Sequence, residues 1–216
     1  MKTDFEIKND VINELTFEPS INAVSIGVAV KEGIVTLSGS VPSYHEKFAA
    51  EKAVKRVKGV KAVVEDIQVN LEKSSRRRDE EIAEAALRNL EWFTTIPEER
   101  IILKVQDGWI SLEGTVDWNY QKEAAQAAVK DLIGIKGISN SIKVKAEQKK
   151  GNLKDKIKET FLRSTLLEPK IIDIRIVGQK VILSGNVYSW SEKELAEILT
   201  WNFSEVSEIE NNIEVI

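Results

Sequence analysis

The sequence predicts an α+β protein built from three tandem α-β-β-α-β units, each a three-stranded sheet with two helices on one face. Three observations predict it. The stretch GIVTLSGSV from Gly33 returns as GWISLEGTV from Gly108 and, more loosely, as QKVILSGNV from Gln179. The anchor glycines Gly39, Gly114 and Gly185 lie 75 and 71 residues apart, and the same offsets carry each copy onto the next. Hydrophobic spacing within each copy switches between a helical period and a period of two. The repeats fall at 1–72, 76–146 and 151–216, joined by the polar, basic stretches around Lys73 to Arg78 and Ala146 to Asn152.

Each unit opens with an amphipathic helix. In the first, Thr3 and Glu6 have capping-box spacing, and Ile7, Val11 and Leu15 recur at i, i+4, i+8. Ile82, Ala86, Leu90 and Leu153, Ile157, Phe161 are their counterparts. A half-buried strand follows, through Ile26, Val28, Val30, through Ile101, Leu103, Val105 and through Ile172, Ile174, Ile176. The chain turns at Glu32-Gly33, Asp107-Gly108 and Gly178-Gln179, where a residue with φ > 0 suits the twist of a hairpin, and runs back toward the anchor glycines. A glycine there is expected to let a helix backbone approach the sheet.

The second helix is capped by Ser43 with Glu46 and by Ser189 with Glu192. In the middle copy Trp118 takes the serine's place, and Asp117 is expected to cap instead. This helix is expected to bury Ala49, Ala53, Val57, then Ala124, Ala128, Leu132, then Leu195, Leu199, Phe203. A last strand carries Ile67 and Val69, Ile142 and Val144, and Ile213 and Val215. Ile102, Trp109, Ile171, Val177 and Ile182 fall on the sheet face away from the helices, so those faces are expected to be covered. A unit of roughly 70 residues buries only about 60% of its unfolded surface, and neighbouring units are expected to pack on one another.

Bulk chemistry narrows the function. With 31 Lys and Arg against 35 Asp and Glu, the net charge of −4 argues against a dedicated nucleic-acid binder. No cysteine is present, which removes disulfides, thiolate metal sites and Cys nucleophiles. The single histidine, His45, precedes Glu46, but a zinc-protease helix needs a second histidine where Ala49 stands. The GIKG stretch Gly134 to Gly137 echoes an RNA-gripping loop, yet the other copies have Ala62 and Glu208 at its last position. No catalytic, cofactor-binding or metal site emerges, and no cofactor is expected. Asp4, Glu6 and Asp10 interrupt any secretory leader and no segment is apolar enough to span a membrane. Taken as it stands the chain is expected in the cytoplasm, or in the periplasm if a leader has been trimmed away.

The unit resembles a BON domain, the module named for bacterial osmotic-stress and nodulation proteins. The resemblance rests on Gly33, Val35, Leu37, Gly39, Val41, then Ala49, Ala50, Ala53, Gly59 and Val60 in the first copy, and on Gly108 to Val116, Ala124, Ala125, Ala128, Gly134, Ile135, Asn140, Ile142 and Val144 in the second. The third keeps Gly185, Val187, Asn211, Ile213 and Val215, with Glu205 at the Gly step. It implies a non-enzymatic module, often envelope-associated, that binds phospholipid surfaces or partner proteins and is linked to osmotic stress. A cytoplasmic interaction, scaffold or chaperone-like module is the alternative.

The candidate contacts for an anionic phospholipid surface are Lys73, Arg76, Arg77 and Arg78 at one join and Lys149 and Lys150 at the other. Aromatic residues mark the tip between hairpin and second helix: Tyr44, Trp118, Tyr120, Tyr188 and Trp190. A hydrophobic staple at the helix start is the plainer reading of them. Asp79 to Glu81 suit a helix first turn. Lys47, Lys122 and Lys193, in register at the second helix, suit either a binding role or packing of the aliphatic stem.

Overall fold

The computed structural model describes residues 2–146, 152–164, 167 and 172–216. In chain order the elements are α1 (Asp4–Phe17), β1 (Ile26–Lys31), β2 (Ile34–Val41), α2 (Tyr44–Lys55) and β3 (Ala62–Val69), then α3 (Asp79–Trp92), β4 (Ile101–Gln106), β5 (Trp109–Val116), α4 (Asn119–Val129) and β6 (Gly137–Val144), then α5 (Leu153–Arg163), β7 (Ile172–Val177), β8 (Lys180–Val187), α6 (Trp190–Trp201) and β9 (Glu208–Val215). They make three three-stranded sheets, ordered β1-β2-β3, β4-β5-β6 and β7-β8-β9. β4 pairs antiparallel with β5, and β5 parallel with β6. The α+β architecture of three repeated units is thus the one the periodicity predicts. Packing gathers the chain into two compact units: Met1–Gly39 with Ala49–Asp66 and Ala146–Ile216, and Ser40–Phe48 with Ile67–Lys145.

The predicted stripes of the first helices are buried: Ile7, Val11 and Leu15, Ile82, Ala86 and Leu90, and Leu153, Ile157 and Phe161. The Thr3 capping box is made, with Glu6 N donating to Thr3 Oγ1 at 3.3 Å and Thr3 N to Glu6 Oε2 at 2.8 Å. On and just beyond the second helices Ala53, Val57 and Ala128 are buried as expected, and the buried stripe widens to Val54 and Val129. Ala50, Ala125 and Ala196 are wholly buried, whereas Ala49, Ala124 and Leu195 are only partly so.

The anchor glycines differ from expectation in their reason. Gly39, Gly114 and Gly185 have φ of 127°, 137° and 132°, which L side chains rarely adopt. What crowds Gly39 and Gly114 is not a helix but the carbonyl just before the first strand. A Cβ would lie 2.2 Å from Ser25 O at Gly39 and 2.1 Å from Arg100 O at Gly114.

Two further expectations fail. Asp117 does not cap α4: it pairs with Arg100 at 2.9 Å, while Gln121 Oε1 accepts from the backbone N of Trp118 and of Asp117, at 3.1 Å each. The outer sheet faces are not closed over. Ile102 is 68% exposed and Val177 54%. Trp109, half exposed, instead lies over its neighbour Gly137, where a Cβ would meet its ring at 2.2 Å. Ile171 lies outside the described residues.

A clamp ties each of the first two hairpins to the helix before it. Asp4 accepts from Glu32 N at 2.7 Å and Gly33 N at 2.9 Å, and Asp79 accepts from Asp107 N and Gly108 N at the same distances. Glu32 and Asp107 sit at φ 54° and 52°, and the clamp holds them there. Replacing Asp79 by Ala should therefore lower unfolding stability in urea by about 2 kcal/mol, since two amides lose a charged acceptor. Asp79→Asn should cost less; no change in the alanine variant would show that the turn holds itself.

At the far end of α1, Arg56 Nε donates to Glu14 Oε1 at 2.7 Å and its Nη2 to Glu18 Oε2 at 3.2 Å. The Arg56 guanidinium, and then Ser20, hold the Glu18 carboxyl below its ordinary value of 4.5. A depressed acid contributes stability that is present above its unfolded pKa and lost as pH falls through its folded one. Melting temperature should accordingly drop as pH falls below about 4.5, and Glu18→Gln should make that acid limb shallower. An unchanged limb would remove Glu18 from the account.

Candidate functional site

The join between the first two repeats starts where β3 ends. Asn70 N donates to Val41 O at 2.8 Å, and Lys73–Ser75 then form one short 3-10 turn. Arg76 and Arg78 are extended, with ψ of 135° and 152°, and deliver the chain to α3. With two serines and three arginines this stretch has little to bury, and all three arginines are exposed. Arg76 Nε donates to Leu71 O at 3.3 Å, and Arg77 Nη1 to Ser74 O and Arg76 O at 2.9 Å each. Arg78 pairs with Glu81 at 3.4 Å, and the Arg78 backbone N holds the Glu81 carboxyl below its ordinary value.

Together these residues border an open groove of about 700 Å³, whose charged lining is Arg76, Arg77, Arg78 and Lys136 against Asp79, Glu80 and Asp107. Gly134, at φ 96°, closes one side, because a Cβ there would press on Arg77 Cβ at 2.8 Å. The glycines of the GIKG stretch are therefore explained by packing, Gly134 against Arg77 and Gly137 against Trp109. Sequence reasoning missed Lys136. A signal existed, since Lys136 is 75 residues from Lys61 and Arg77 is 75 from Lys2. Lys2 and Lys61 line the matching groove of the first repeat, about 410 Å³, with Asp4 and Glu32. Lys73 lies on the 3-10 turn rather than on the groove, and Lys149 and Lys150 fall outside the described residues.

Several aromatic tips make contacts beyond their own helix start. Within the second unit, Tyr44 packs against the core of the middle repeat, and Lys130 Nζ stands 5.7 Å over Phe48. Beside them His45 Nδ1 lies 2.6 Å from Asp131 Oδ1. Within the first unit, Trp190 lies between Lys55 at 5.7 Å and Lys193 at 5.4 Å, while Ser191 Oγ donates to Lys55 O at 3.2 Å and Gly59 N to Tyr188 O at 3.3 Å. Trp118 is half-buried at the start of α4, and Tyr120 is 55% exposed.

Lys47 and Lys193 are drawn inward: their ammonium groups donate to Ile67 O at 2.9 Å and Ile213 O at 2.7 Å. Asn140 and Asn211 serve likewise, donating to Lys122 O at 3.0 Å and Lys193 O at 3.1 Å. These residues tie second helix to last strand. Among the described residues no group of three or more His, Asp or Glu could hold a metal ion, and no helix is long and apolar enough to cross a membrane.

Comparison with known proteins agrees with the repeat. Osmotically-inducible protein Y of Escherichia coli (strain K12) is 28% identical over 146 residues, 66% of this chain and 73% of that one. Two structures of CdsD, a structural protein of the type III secretion system of Chlamydia trachomatis, align over 98% and 100% of this chain, at 11% and 10% identity with TM-scores of 0.26 and 0.27. The BON domain model matches residues 3–70, 78–146 and 149–216. The chain belongs to the BON domain family and carries the domain three times.

Proposed function

We propose that this chain is a non-enzymatic binding protein of the osmotic or envelope stress response, and that it touches an anionic phospholipid surface through the groove between β3 and α3. One observation carries the reading: Arg76, Arg77, Arg78 and Lys136 border one open groove in a chain whose net charge is −4. Near an anionic leaflet a Lys or Arg contributes about 1 kcal/mol, so four acting together suffice for weak, reversible contact. Of the three acids on the groove, Asp79 is turned onto the hairpin amides, which leaves Glu80 and Asp107 set against the four cations. The likeness to an osmotically inducible protein supports the setting.

Flotation with vesicles tests the reading, using phosphatidylcholine alone and with phosphatidylglycerol, at low and raised salt. The wild type should float only with the anionic vesicles and less as salt rises, since the Debye length falls to about 8 Å at physiological ionic strength. Arg76, Arg77 and Arg78→Ala together should abolish flotation, and Lys136→Ala should weaken it. Equal binding to neutral vesicles, or an unaffected triple variant, would end the lipid reading and leave the protein-interaction module.

A further inference from the structure

The three sheets turn differently furnished faces to solvent, although strand order and register are shared. In the third repeat one row across the sheet reads Arg175, Ile182, Glu210, and Lys180 pairs with Glu208 at 2.7 Å and Glu210 at 3.0 Å. In the second, Lys104 and Glu113 lie on the face and Trp109 covers Gly137. The first repeat has no charge at these central places. Ala29 pairs with Thr36 and Gly27 with Ser38, and the offset of 75 brings Val64 onto the place of Ser139. Gly27, Ala29 and Ser38 are exposed, Ile34 is 42% and Val64 49% exposed. Charge appears only at opposite corners: Lys31 beside Ile34 at the hairpin end, and Asp66 at the place of Ser141, in the row of the pair Gly27–Ser38.

We propose that this face of β1, β2 and β3 binds an amphipathic helix of a partner protein, laid diagonally with a carboxylate over Lys31 and a cation over Asp66. Three properties of the face select a helix. Its backbone amides and carbonyls are engaged in the sheet, so an extended peptide lying on it would leave its own backbone unpaired; strands add at edges, not on faces. An eight-residue strand of roughly 27 Å across three strands of roughly 14 Å gives under 400 Å², about half of the roughly 800 Å² per partner of a stable interface, so the face suits a weak, transient contact with one helix and falls short of a stable dimer. A helix satisfies its own backbone, is about 10 Å wide, and spans this length in roughly 18 residues. The small residues Gly27, Ala29 and Ser38 let it approach between Ile34 and Val64.

The probe is an end-blocked 18-residue peptide with leucine and alanine on one face, glutamine on the other, glutamate in the first turn and lysine in the last, its binding measured without lipid so that the outcome is independent of the vesicle result. The wild type should bind it. Ala29→Arg with Val64→Glu, which copies Arg175 and Glu210 of the third repeat, should keep its melting temperature and lose at least tenfold in affinity. A peptide with both charges changed to glutamine should bind severalfold more weakly. No binding by the wild type, or equal binding by the double variant, overturns the proposal. So does a wild-type dimer in sedimentation that the double variant dissolves, which would assign the face to a second copy.

Discussion

The hairpins of the first two repeats depend on the close approach of a carbonyl to the anchor glycine, Ser25 O to Gly39 and Arg100 O to Gly114. Ile26 pairs with Gly39, Ile101 with Gly114 and Ile172 with Gly185, at the open end of each hairpin. A side chain at Gly39 or Gly114 would clash with that backbone oxygen, and at all three glycines it would be forced into an unfavourable φ. The contact therefore fixes hairpin register from the end opposite the turn. Register matters because a slip by one residue would send Val35 and Leu37, both fully buried, to the solvent face. The turn is secured independently by Asp4 in the first repeat and Asp79 in the second, so these two hairpins are held at both ends.

The fold was legible because burial imposes periodicity, and three copies in one register make periodicity unambiguous. What escaped was set by distance in the chain or by geometry finer than periodicity. Asp79 reads as an ordinary first-turn acid, and nothing near it in sequence shows that its carboxylate reaches amides 28 and 29 residues on. The burial of Ala50 and Ala125 in place of Ala49 and Ala124 escaped because alanines at adjacent positions satisfy either face. Of the candidate groove, the arginine run was plain from composition. Lys136 comes from beyond α4 and could be found only through its register with Lys61.

The same register position also takes different work in different copies. Arg56 joins α1 to the end of α2 through Glu14 and Glu18, whereas 75 residues on Asp131 meets His45 of the neighbouring tip. Lys55 and Lys130, likewise 75 apart, each stand over an aromatic ring belonging to another repeat. A lysine ammonium over a ring is worth about 0.5–1 kcal/mol when exposed. These contacts thus orient the tips while most of the stability stays with the cores.

Sequence freedom in this chain is therefore concentrated on surfaces. Inward positions repeat nearly residue for residue, as Val35, Ile110 and Val181 show, because a core tolerates little change in volume. Outward positions diverge in kind: Ala29, Lys104 and Arg175 occupy one place and carry no shared packing demand. Charged residues on an open sheet keep it from pairing with other chains, and the second and third repeats have them. The first helices diverge too, α1 with four carboxylates and one lysine, α5 with four cations and two carboxylates. Similarly patterned cores with surfaces of different character let one short chain present several chemistries at once.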